Sequence, residues 1–89
     1  MEDILQTFKK HTKIEILWYD SAFQGGWVPP DKREPLPILP TIGYLVEQTP
    51  ERIEIAMSVS ENGLYLNPLA IPIGCVKEIF ELEQKNALG

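Results

Sequence analysis

From Lys13 to Glu83 the chain is written mostly in period two. In KIEILWYD (13–20), Ile14, Ile16 and Trp18 fall on one side and Glu15, Leu17 and Tyr19 on the other. That is the pattern of a strand, whose successive side chains point to opposite faces. Both sides turn apolar toward its end, so cover is expected on each. TIGYLVEQ (41–48) sets Ile42, Tyr44 and Val46 against Gly43, Leu45 and Glu47. A glycine in mid-strand, here Gly43, predicts a bend or a close backbone approach. RIEIAMSVS (52–60) alternates most cleanly, through Ile53, Ile55, Met57 and Val59. Asn62-Gly63 then signals a two-residue hairpin turn with positive φ at both positions. LYLNPLAI (64–71) is broken by Pro68, which predicts a short, bulged or edge strand. CVKEIFELE (75–83) fits a helix through Val76, Ile79 and Phe80, and equally a bulged strand; β-branched and aromatic residues after Gly74 favour the strand.

Two segments depart from this period. In residues 1–11, Ile4, Leu5 and Phe8 stand at helical spacing, with acids first and lysines last, as the helix dipole prefers. A helix that short is marginal alone, so it is expected to dock as a flap over an open barrel end. The second segment, residues 21–40, is a long loop rich in Pro and Gly. Its Phe23 and Trp27 are too apolar for a solvated tether, and its prolines lower the entropy lost on ordering. It reads as an ordered excursion pinned to the barrel by Trp27, with Asp31, Lys32, Arg33 and Glu34 at its tip. The expected fold is mainly β, one domain over residues 1–89. A short N-terminal helix (1–11) precedes five antiparallel strands (13–20, 41–48, 52–60, 64–71 and 75–83). They close into a small barrel, because closure removes exposed edges.

Length changes the picture by limiting the core. A chain of 89 residues buries about 60–65% of its unfolded surface, and self-association commonly supplements so thin a core. The net charge of −5 is unevenly spread. Residues 1–40 sum to −1, whereas residues 41–89 sum to −4, with Arg52, Lys77 and Lys85 against seven acids. The second half repels phosphate, so a nucleic-acid contact would use Lys9, Lys10 and Lys13 in the first. Cys75 is the only cysteine and His11 the only histidine. No motif joins them into a nucleophile–base pair, and two such residues fall short of a structural zinc site. No phosphate-binding glycine loop or calcium-loop spacing is present. The chain therefore reads as no enzyme, with no cofactor and no metal. The longest uncharged run, Asn62 to Val76, is fifteen residues with two prolines and two glycines, too short and broken for a bilayer. A soluble intracellular protein without membrane contact is expected.

Strands of this order, with glycine in the second, resemble Sm and Sm-like proteins. Ile42-Gly43-Tyr44-Leu45 looks like the apolar-x-Gly-x-Leu strand of their first motif, and Ile73-Gly74-Cys75-Val76 is loosely similar to the turn of their second. WYDSAFQGGWVPP, IGYLVE and AIPIGCVKEI also resemble small uncharacterised phage-encoded proteins with an Sm-like or SH3-like barrel. The resemblance implies ring assembly by strand pairing and, in RNA-binding members, a base clamp. Here Val46-Glu47-Gln48-Thr49-Pro50 stands where those members carry an Asp and an Asn. Pro72-Ile73 precede Gly74 where they place an Arg beside it. The clamp residues are absent.

Two surfaces are candidates for recognition. The first comprises Trp18, Phe23, Trp27, Lys32 and Arg33, since aromatic residues displayed on a rigid sheet bind peptides or stack on bases. Against it stands the plainer assignment of Trp18 to the core and Trp27 to a loop anchor. The second is Lys9, Lys10 and Lys13 as nucleic-acid contacts, against the plainer reading of a solvated helix end. PLPILP suits a polyproline II ligand or, more ordinarily, a stiff spacer. The leading expectation is a non-enzymatic homo-oligomeric assembly or interaction module, possibly binding another protein. The alternative is an Sm-like RNA-binding protein.

Overall fold

The computed structural model describes residues 6–83. Seven strands form: β1 (Lys13–Tyr19), β2 (Ile38–Gln48), β3 (Arg52–Ala56), β4 (Ser58–Val59), β5 (Tyr65–Leu66), β6 (Leu69–Pro72) and β7 (Val76–Glu81). Five make an antiparallel sheet in the order β6-β3-β2-β1-β7, and β4 pairs with β5. The mainly β, five-stranded antiparallel architecture is thus present. The ambiguous last segment is a strand, bulged where it passes β1 between Leu17 and Trp18.

Closure into a barrel does not occur, since β6 and β7 are the two edges of the sheet. The sheet is nonetheless curled. Only a 3-10 turn, Ile73–Cys75, separates Pro72 from Val76, a path of at most about 15 Å. A flat five-stranded sheet would set its edge strands about 19 Å apart. The edges approach without a ladder because β6 has four residues and Pro68 and Pro72 offer no N–H. Instead Ile73, Cys75 and Val76 pack on the core across the gap.

The expected N-terminal helix is also absent over residues 6–12, which run without helix into a turn at Lys10–His11. Their backbone bonds go to β2: His11 N–H donates to Leu45 O at 2.7 Å, and Leu45 N–H to Thr12 O at 2.9 Å. Gln48 adds two more, accepting from Phe8 N–H and donating to Gln6 O. Groups committed to a neighbouring strand cannot also serve an i→i−4 helix. Phe8 still packs against the core; Ile4 and Leu5 lie outside the described residues.

The core is one aliphatic layer of Ile14, Ile16, Leu45, Ile53, Ile55 and Ile71. Register explains the set. Ile14 faces Gly43, Leu45 faces Ile55, and Ile53 faces Ile71, so one side chain per pair enters the same face. Trp18 closes one end of this layer, its indole N–H donating to Thr41 Oγ1 at 2.9 Å. At Gly43 an added Cβ would lie 2.8 Å from Ala56 O. Of the two alternatives for this glycine, close backbone approach is the one realised.

The hairpin after β3 bends sharply. Met57 interrupts one leg and Asn67-Pro68 the other, joined by Met57 N–H to Leu66 O at 3.0 Å. The turn is not the two-residue type. Among its residues only Gly63 has positive φ (83°), and Ser60 N–H reaches Leu64 O. That is a three-residue loop ending in a left-handed glycine. Ser60 decides it: its hydroxyl donates to Asn62 Oδ1 and accepts from Leu64 N–H, fixing the longer loop.

Candidate functional site

The β1–β2 ribbon outruns its sheet. Residues Ile38–Gly43 pair with β1 on one side but have no β3 partner on the other. Pro40 is therefore tolerated inside β2, where a central strand would exclude it. Beyond Tyr19 and Ile38 the ribbon continues into an arm of residues 20–37, whose base is tied by Asp20 N–H to Pro37 O at 2.9 Å. Gln24 bridges its legs, donating to Lys32 O at 3.4 Å and accepting from Glu34 N–H at 3.1 Å. A 3-10 turn at Pro30–Lys32 and the left-handed Gly26 (φ 77°) shape the end.

This geometry corrects the expected anchor. Trp27 is 103% and Phe23 93% exposed, so neither pins the arm to the sheet. The hydrogen bonds of the arm run between its own legs, leaving the aromatics nothing of this chain to pack on. The charged quartet is displaced as well. Because Gln24 faces Lys32 and Glu34, the end of the arm is Gly25 to Pro29, with Trp27 in it. Lys32 and Arg33 stand on the returning leg.

Below the arm, the face of the sheet opposite the core is apolar. Parity and register put Leu17, Tyr19, Ile38, Pro40, Ile42 and Phe80 there together: Tyr19 faces Ile38, Leu17 faces Pro40, and Glu15 lies between Ile42 and Phe80. Ile42 is 53% exposed and Tyr19, Ile38 and Phe80 are each above a third. No segment among the described residues covers this face. Two carboxylates, Glu15 and Glu78, share it with no ion pair among the described residues. Arg52 engages Glu47 at 3.4 Å and Glu54 at 3.6 Å, farther along. Apolarity on both sides of KIEILWYD was visible in the sequence, whereas the contribution of Phe80 depends on β7 joining β1.

At the other end of β1 lies an open groove of about 460 Å³ lined by His11, Tyr44, Ser58, Val59 and Ser60. His11 holds a left-handed backbone (φ 66°). Its Nε2 is 3.1 Å from Tyr65 Oη, with the rings edge to face at 5.8 Å. Lys13 sits across from Tyr44 in register, and Lys9 and Lys10 flank the turn carrying His11. The lysines thus stand beside Tyr44 and Tyr65. The arm aromatics lie past the opposite end of the seven-residue β1, about 20 Å away. The structure separates the lysines from Phe23 and Trp27 and supplies other rings. Sequence periodicity gave no hint of this pairing, because Tyr65 arrives through the bend at Met57 and Asn67.

Chemistry at the two reactive side chains is sparse. Cys75 packs against the core, while His11 meets Tyr65. Among the described residues no three His, Cys, Asp or Glu side chains gather to hold a metal ion. No helix among them is long and apolar enough to cross a membrane. No protein-family model, curated protein or solved structure matches this chain.

Proposed function

We propose that this protein is a non-enzymatic interaction module that assembles with copies of itself, its arm and uncovered sheet face being the working surface. One observation carries the reading: an arm braced by its own hydrogen bonds holds Trp27 and Phe23 wholly in solvent. A solvent-exposed tryptophan on an ordered segment is a common feature of binding surfaces, where aromatic anchors contribute most. Surface area supports it. The chain exposes 7344 Å², against about 5300 Å² for a compact monomer of its mass. Its radius of gyration is 16.3 Å, where about 12 Å is usual. Light scattering across a wide concentration range is the test. A mass above one chain that falls on dilution is expected, and a monomer throughout refutes self-assembly.

The second reading, nucleic-acid binding, is favoured by the groove rather than by the arm. Lys9, Lys10 and Lys13 supply charge, with Tyr44, Tyr65 and His11 as stacking surfaces. Single-stranded RNA at low salt should bind with a log–log salt slope of about −2 for three phosphate contacts. Absence of binding at low salt excludes it. The phage kinship and ring symmetry suggested by the motif residues remain part of the proposal, resting on those residues alone.

A further inference from the structure

We infer that the partner of the arm is the outer sheet face of a second copy, with two chains exchanging arms about a two-fold axis. This rests on the self-assembly reading above and adds which surfaces meet. Three features of one chain are complementary to each other yet do not meet within it. The first is apolar: Phe23 and Trp27 project from the arm, while Leu17, Tyr19, Ile38, Pro40, Ile42 and Phe80 lie open on the sheet. The second is charge. Lys32 and Arg33 on the arm and Glu15 and Glu78 on the face form no ion pairs among the described residues, whose recorded bridges belong to Arg52. Basic arm against acidic face gives opposite signs in both halves of a symmetric pair, whereas face against face would set carboxylate against carboxylate.

The third feature is reach and area. Each leg of the arm has about eight residues and spans about 27 Å, enough to cross a partner strand the length of the seven-residue β1. The surplus surface of roughly 2000 Å² over a compact monomer exceeds the ~800 Å² per chain of a standard interface. An arm laid on the partner's face, with the partner's arm laid in return, is an isologous contact that closes at two chains. The prolines of the arm suit this use, because a segment already ordered in the free chain loses less entropy on docking.

The experiment is sedimentation of the full chain up to about 1 mM, beside the Phe23→Ser/Trp27→Ser variant. Both side chains are exposed, so circular dichroism and thermal melting should show an unchanged monomer fold. Wild type is expected to dimerise, and the variant to dissociate about 1000-fold more readily, since each truncated anchor occurs twice in the pair. Lys32→Glu/Arg33→Glu should weaken the dimer about tenfold, and adding Glu15→Lys/Glu78→Lys should restore it. Wild type that stays monomeric overturns this inference together with the self-assembly reading. A Phe23→Ser/Trp27→Ser variant that still dimerises overturns arm exchange alone, assembly then using another surface. Charge reversal without rescue overturns the assignment of the face, and higher rings overturn the two-fold closure.

Discussion

Replacing Gly43 by Ala tests the curl of the sheet at one carbon atom. The new Cβ would sit 2.8 Å from Ala56 O and 3.1 Å from both Cβ and Cδ1 of Ile55. Ile55 Cδ1 can swing aside, but Ala56 O belongs to a backbone held by the pairing of Ala56 with Tyr44. Relief therefore requires β2 and β3 to separate locally. Forcing an atom into a packed site costs about 1–3 kcal/mol. The stiffer unfolded chain of alanine returns about 0.4–1 kcal/mol. The net loss is about 1–2 kcal/mol, or roughly 5–15 °C in melting temperature for a domain of this size. Gly74→Ala is the matched control: its backbone is ordinary and no atom lies within 4 Å of the added Cβ. It should be neutral or slightly stabilising. Urea unfolding followed by circular dichroism reads both. A Gly43→Ala midpoint equal to or above wild type would show that β3 does not press on β2 here, and the curl would lose its stated cause.

Two further outcomes follow from burial and turn geometry. Ile16→Ala, fully buried, should cost about 2–5 kcal/mol in urea unfolding; Ile42→Ala on the outer face should cost well under 1 kcal/mol in the monomer. Equal losses would mean that the two faces are assigned wrongly. Gly63→Ala meets no atom but retains φ 83°, so about 1 kcal/mol of backbone strain should appear as a lower melting temperature. An unchanged melting temperature would mean that the turn relaxes out of the left-handed region.

The strands were legible because Ile14/Ile16, Ile53/Ile55 and their neighbours repeat every second residue, a signal that needs no tertiary knowledge. The missing helix shows its limit. Residues 6–12 carry helical spacing too, but spacing does not reveal that Leu45 and Gln48 compete for their backbone groups. The barrel failed for a related reason: closing a sheet depends on hydrogen bonds between the last two edges, and the prolines that deny them had been read only as local breaks. The anchor role of Trp27 failed because apolarity identifies a side chain that needs cover without identifying which chain supplies it. The His11–Tyr65 contact, 54 residues apart, carried no periodic signal at all.

Apolar residues on both faces leave the β1–β2 ribbon with a register problem. Where one face is buried, a slip of one residue turns core side chains into solvent and is strongly opposed. Around Leu17–Tyr19 and Ile38–Ile42 both faces are apolar, so that opposition is weak. Register there must come from something directional. The Trp18 indole N–H bonded to Thr41 Oγ1 at 2.9 Å supplies it, since Trp18 and Thr41 can meet only with Ile16 opposite Thr41 and Trp18 opposite Leu39. Thr41→Val keeps the shape, removes the acceptor and leaves a half-buried N–H without its partner, at about 1–3 kcal/mol. Its more telling effect should be plural backbone amide signals for residues 38–42 in heteronuclear NMR spectra, as the ribbon samples neighbouring registers. A single sharp set of signals would mean that the sheet and the base of the arm hold the register without Trp18.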